Sequence, residues 1–106
     1  MKRKKGQEHK VYVPETESRY TGTFAVSENG HLADRTFIVL GGSGDGYVLV
    51  SDGKKRRISY PKRKKLSHLR LLYKDAEALE MIRQGILTDG VLRKKISEAK
   101  TTLQEM

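Results

Sequence analysis

The spacing of apolar and polar positions divides the chain into three stretches. Residues 1–18 are almost wholly polar. Only Val11, Tyr12 and Val13 interrupt them, enough for one short strand before Pro14. Such a stretch buries too little apolar surface to offset its ordering entropy and reads as a flexible basic arm. From Tyr20 the pattern becomes that of strands. Residues 20–27 are rich in β-branched and aromatic side chains, with partial alternation at Phe24 and Val26. Residues 36–40 and 47–51 are short apolar runs bounded by turn residues. Between them Gly-Gly-Ser-Gly-Asp-Gly reads as a mobile hairpin loop. Asp52-Gly53 is a two-residue hairpin signal, and it predicts a fourth strand over residues 55–60. Ile58 and Tyr60 would share one face of that strand and anchor it. Pro61, with no N–H to donate, is expected to end the pairing there. Residues 68–72 form a fifth short strand or a 3₁₀ turn. Five short strands joined by tight turns over residues 19–73 predict a small closed or nearly closed barrel.

After Tyr73 the period changes from two to 3.6. Asp75 is placed to cap a first helix with Ala76, Leu79 and Ile82 on one face, and Gly85 to end it. Thr88 or Asp89 opens a second helix, striped by Leu92, Ile96, Ala99 and Leu103. Residues 74–106 are therefore a helical hairpin that packs on itself or on the barrel, with a partner-binding helix as the alternative. The fold class is mainly β with an α extension.

Charge changes the picture most. The 106 residues carry a formal net charge of +9. Residues 54–74 hold ten Lys or Arg and no acidic residue, while the rest of the chain holds twelve basic and thirteen acidic residues. The whole excess sits in one segment of 21 residues. A smaller basic cluster lies at residues 2–5. Like charges packed without acidic partners repel unless a polyanion relieves them, so the segment reads as a phosphate-binding surface.

Other chemistry finds few residues to stand on. Cysteine is absent, which excludes disulfides, thiolate metal sites and a cysteine nucleophile. His9, His31 and His68 are far apart, with no carboxylates at ligand spacing. The Gly-rich loop has no following Lys and leads into a strand, unlike a loop that cradles phosphate at a helix N-terminus. No stretch approaches the roughly 20 apolar residues that span a bilayer. The basic start is not followed by the apolar segment of a signal peptide. The expectation is a cytoplasmic monomer with no enzymatic activity, catalytic residue, metal, cofactor, small-molecule substrate or membrane contact.

Residues 22–72 resemble the bacterial KOW domain-containing RNA-binding proteins, which are related to KOW-bearing large-subunit ribosomal proteins. The resemblance is carried by the run from Tyr47 to Val50, then Asp52, Gly53, Arg57, Pro61, Lys62, Lys64, Lys65, Leu66, His68 and Leu69. Gly30 and Arg35 match the KOW loop, whose second glycine is replaced here by Asp34. The resemblance implies an SH3-like five-stranded barrel that binds RNA, in particular ribosomal RNA. Together with the charge map it nominates as RNA-contacting residues Gly30, His31, Arg35, Lys54, Lys55, Arg56, Arg57, Lys62, Arg63, Lys64, Lys65, His68, Arg70 and Lys74. On this reading Lys54 to Arg57 lie on a strand and Lys62 to Lys65 on the following loop. The competing reading is an adaptor that docks on ribosomal or transcription proteins through the barrel or the helices. A DNA-binding regulator using Arg93, Lys94 and Lys95 of the second helix is weaker.

Overall fold

A computed structural model describes residues 17–27 and 35–104, the last four of these as backbone only. Five strands form one antiparallel sheet: β1 (Thr23–Ser27), β2 (Thr36–Gly42), β3 (Tyr47–Ser51), β4 (Lys62–Lys65) and β5 (Leu69–Lys74). Their order is β4-β3-β2-β1-β5. A 3₁₀ turn, Leu66–His68, joins the two edge strands. Helices α1 (Ala76–Gln84) and α2 (Asp89–Gln104) follow. The expected Val11–Val13 strand, the basic cluster at residues 2–5 and the Gly30–His31 loop lie outside the described residues.

The central strands β1 and β2 are buried on both faces, which explains why β2 reads as a continuous apolar run rather than an alternating one. Phe24, Ile38 and Leu40 point to one side. There they pack with Ile58, Ala78, Ile82, Leu87, Leu92, Ile96 and Ala99. The helices therefore cover the sheet, and Leu92, Ile96 and Ala99 of the predicted α2 stripe lie on the side that does so. On the other side Ala25, Phe37, Val39, Val48, Val50 and Leu69 form a second cluster, flanked by Tyr20 and Leu66. This cluster joins side chains from β3 and β5, which are not neighbours in the sheet, so the sheet curls around it. It stops short of the closed barrel: no ladder joins β4 to β5, and the 3₁₀ turn spans the gap instead.

Helix ends follow local rules with one exchange. Asp75 is the N-cap of α1, yet its side chain makes no capping bond and pairs with Lys95 Nζ at 2.9 Å. Glu77 holds the same ammonium at 2.7 Å, so α2 is tied to the start of α1. Burial pushes the Lys95 ammonium down, but the Glu77 and Asp75 carboxylates outweigh it and hold it above its ordinary value. Gly85 ends α1: its N–H reaches Ile82 O and the N–H of Ile86 reaches Met81 O. Thr88 caps α2, its Oγ1 accepting the Val91 N–H at 3.2 Å. Close packing of α1 on the sheet depends on Gly22. Its φ is 86°, and a Cβ there would meet Leu79 Cβ at 2.8 Å.

The largest departure from the sequence reading lies between residues 52 and 65. The predicted strand over residues 55–60 is a loop, and the predicted loop is strand β4. The N–H groups a ladder would need are taken elsewhere. Asp52 Oδ1 accepts the N–H of Lys54 and of Arg56, each at 2.9 Å. Ser51 Oγ donates to Arg56 O at 2.6 Å. The Ile58 N–H goes across the molecule to Asp89 Oδ1 at 2.8 Å. Side chains that bond nearby backbone compete with ladders in this way. Gly53 has the positive φ expected of it (76°), but the turn it makes is a closed loop and not a two-residue hairpin. Pro61 precedes a strand rather than ending one, a position where its missing N–H costs no ladder bond. Ile58 is buried, whereas Tyr60 is 77% exposed and anchors nothing.

Candidate nucleic-acid interface

β4 consists of four cations, Lys62-Arg63-Lys64-Lys65, on the free edge of the sheet. Its register with β3 decides where each side chain goes. Lys62 lies opposite Val50 and Lys64 opposite Val48, whereas Arg63 faces Leu49 and Lys65 faces Tyr47. Paired residues share a face. Lys62 and Lys64 therefore sit half-buried on the side of the inner apolar cluster, and Arg63 and Lys65 stand exposed on the opposite side. Lysines on an edge strand also discourage strand addition by another chain. That role alone would not explain cations directed to both faces.

Lys64 lies in a cationic neighbourhood. Burial, Lys62 and Arg35 together push its ammonium below its ordinary value. Arg35 stacks over the Phe37 ring, its Cζ 5.1 Å from the centroid, and pairs through Nη2 with Asp52 Oδ2 at 2.8 Å. Arg35 continues the surface in the other direction too. With Thr36, Asp52, Lys54, Lys55, Ile96 and Lys100 it lines an open cavity of about 260 Å³. Arg35, Lys54, Lys55 and Lys100 thus share one cavity, and the Arg35 charge is felt at Lys64 on β4. Among the described residues Asp52 is the one carboxylate lining that cavity, and Arg35 already engages it.

Asp52 organises this surface. Burial pushes its carboxyl up, but the Arg35 guanidinium and the N–H groups of Arg56 and Lys54 outweigh that and hold it below its ordinary 3.8. Its contribution to stability is therefore full above the ordinary value and is lost as pH falls through the lowered one. Asp52→Asn is expected to cost about 1–2 kcal/mol at neutral pH, allowing for the pair's partial exposure. The gap between variant and wild type should close as pH falls below 3.8. Urea unfolding across that range checks this, and a gap that stays constant with pH would contradict it.

The remaining nominated residues divide. Lys54, Lys55 and Arg57 are exposed, and Arg56 is half-buried on the same loop. His68 is exposed in the 3₁₀ turn, and Arg70 is exposed on β5. Lys74 does not join the group. It lies at the end of β5 away from that turn, and its Nζ donates to Arg19 O at 2.8 Å. Gly30 and His31 fall outside the described residues. Lys100 was not nominated, although it follows Ile96 by four positions and so shares its side of α2. Elsewhere several cations are committed internally. Arg83 holds Glu17 in a two-pronged pair at 2.8 and 2.9 Å, and Lys95 bridges Asp75 and Glu77. Arg93 Nη1 donates to Gly53 O at 2.7 Å. The second helix thus spends two of the three cations that a DNA-recognition role would need.

Among the described residues no group of three or more His, Asp or Glu side chains could hold a metal ion, and no helix is long and apolar enough to cross a membrane. No protein-family model matches the chain, and a search of curated proteins finds no match to it.

Proposed function

We propose that this protein binds structured RNA, in particular ribosomal RNA, through the cationic surface built from β4, Arg35, the Asp52 loop and the end of α2. The observation that carries the proposal is the grouping of Arg35, Lys54, Lys55 and Lys100 around one cavity whose Asp52 carboxylate Arg35 already engages, with Arg35 and Lys62 both acting on the half-buried Lys64 of β4. Burial, with the charges of Lys62 and Arg35, pushes the Lys64 ammonium below its ordinary value, and a bound phosphate backbone would relieve the repulsion among such cations. The proposed role is non-enzymatic. The finer fold assignment belongs to the same proposal. Five short antiparallel strands curled around an apolar cluster, with a 3₁₀ turn between the edge strands, support an SH3-like barrel of the KOW type. The resemblance of residues 22–72 to that family supports RNA as the polyanion.

Co-sedimentation with ribosomes before and after nuclease treatment tests the proposal against docking on a protein. Binding is expected to disappear with the RNA and to be competed by structured RNA better than by duplex DNA. Nuclease-resistant binding to an isolated protein would contradict it and favour an adaptor.

A further inference from the structure

On the opposite face of β4 from Lys62 and Lys64, one cation is held in an unusual way. The Cζ of Arg63 lies 3.7 Å above the centroid of the Tyr47 ring. Its Nε donates to both Ser43 O and Ser43 Oγ at 3.2 Å. The guanidinium is thus held over an aromatic ring by the backbone and side chain of Ser43 in the β2–β3 turn. That turn is itself closed by the Ser43 N–H to Tyr47 O and the Tyr47 N–H to Gly44 O. Gly44 supplies the positive φ of 88° that the turn requires, and its backbone lies beside the guanidinium edge, where a Cβ would make ordinary contact with Nη2 at 3.5 Å. No carboxylate pairs with Arg63 among the described residues, although Asp45 lies in the same turn. Arg63 is exposed, so the guanidinium face turned away from Tyr47 is open.

The geometry points to a seat for one unpaired nucleobase, stacked on the open face of the Arg63 guanidinium and backed by Tyr47. The inference rests on the RNA reading above and adds a binding mode to it: a loop or bulge nucleotide splayed out of the structured RNA. A guanidinium is planar, always charged and weakly hydrated, so it stacks on a base at little desolvation cost. Immobilising it beforehand removes the rotamer entropy that a free Arg would lose on binding. Lys65 lies directly across from Tyr47 on the same face, where it can meet the phosphate attached to the seated base. Base–side-chain stacking of this kind tolerates any base, so the seat reads the presence of an unpaired base and not its identity.

The test uses a short oligouridine, whose bases are free to seat, and an abasic ribose-phosphate strand of the same length. Wild-type protein should bind oligouridine about tenfold more tightly than the abasic strand. Arg63→Lys keeps the charge and loses the plane. It should erase that preference while leaving the abasic affinity and its salt slope unchanged. Tyr47→Phe keeps the ring and should keep the preference. Equal wild-type affinity for the two strands, or a preference that survives Arg63→Lys, overturns the base seat and leaves phosphate binding standing. Failure of the wild type to bind either strand or structured RNA overturns the RNA reading together with the inference.

Discussion

Truncating Ile58 to alanine is expected to lower stability by about 2–5 kcal/mol, the usual cost of emptying a buried branched side chain. Ile58 is 1% exposed and packs among Phe24, Ile38, Ile82, Leu87 and Leu92, between the sheet and both helices. It is also the only side chain of the basic loop in that cluster, so it fastens the segment bearing Lys54 to Arg57 onto the fold. Its own N–H is held by Asp89 at the start of α2. Tyr60→Ala, two positions along, should change stability by less than about 0.5 kcal/mol, because that ring is 77% exposed. Urea denaturation of the two variants and the wild type measures both. Similar losses for Ile58→Ala and Tyr60→Ala would mean that the two residues share a strand face after all, and would contradict the loop seen here.

The contrast between those residues marks where the sequence could be read and where it could not. Residues 36–40 are apolar and β-branched, and a run like that has few uses other than a strand covered on both sides. The α2 stripe of Leu92, Ile96 and Ala99 is equally direct, since its period matches the helix that forms. The segment 52–65 misleads because its outcome depends on distant partners. Arg-Ile-Ser-Tyr has strand propensity, but Asp52 and Asp89 claim the N–H groups that pairing would use. Lys62 to Lys65 have neither alternation nor β-propensity, and they become a strand because β3 supplies a template for them. No local pattern reports that.

The candidate site was legible as charge but not as geometry. The concentration of ten cations in 21 residues can be counted from the sequence. Their division between two faces follows from the register of β4 on β3, which only the folded chain defines. Lys100 joins them through the packing of α2, about 45 residues further along the chain from the Asp52 loop.

On the proposed reading all four β4 cations lie at the RNA interface, Lys62 and Lys64 on one face and Arg63 and Lys65 on the other. Each Lys or Arg that neutralises a phosphate contributes about 0.9 to the log–log salt slope of binding to a duplex and about 0.7 to a single strand. Removing the four β4 charges as a group should therefore flatten the slope by about 3–4 and weaken binding at low salt by orders of magnitude. The fold should survive, because the apolar clusters include no β4 side chain. The decisive measurement is the salt dependence of affinity for ribosomal RNA of wild type and a variant with Lys62, Arg63, Lys64 and Lys65 all replaced by Ser, with circular dichroism confirming that both are folded. A slope shallower by about 3–4 in a folded variant is the predicted result. An unchanged slope and affinity would contradict the account and place any RNA contact elsewhere on the molecule.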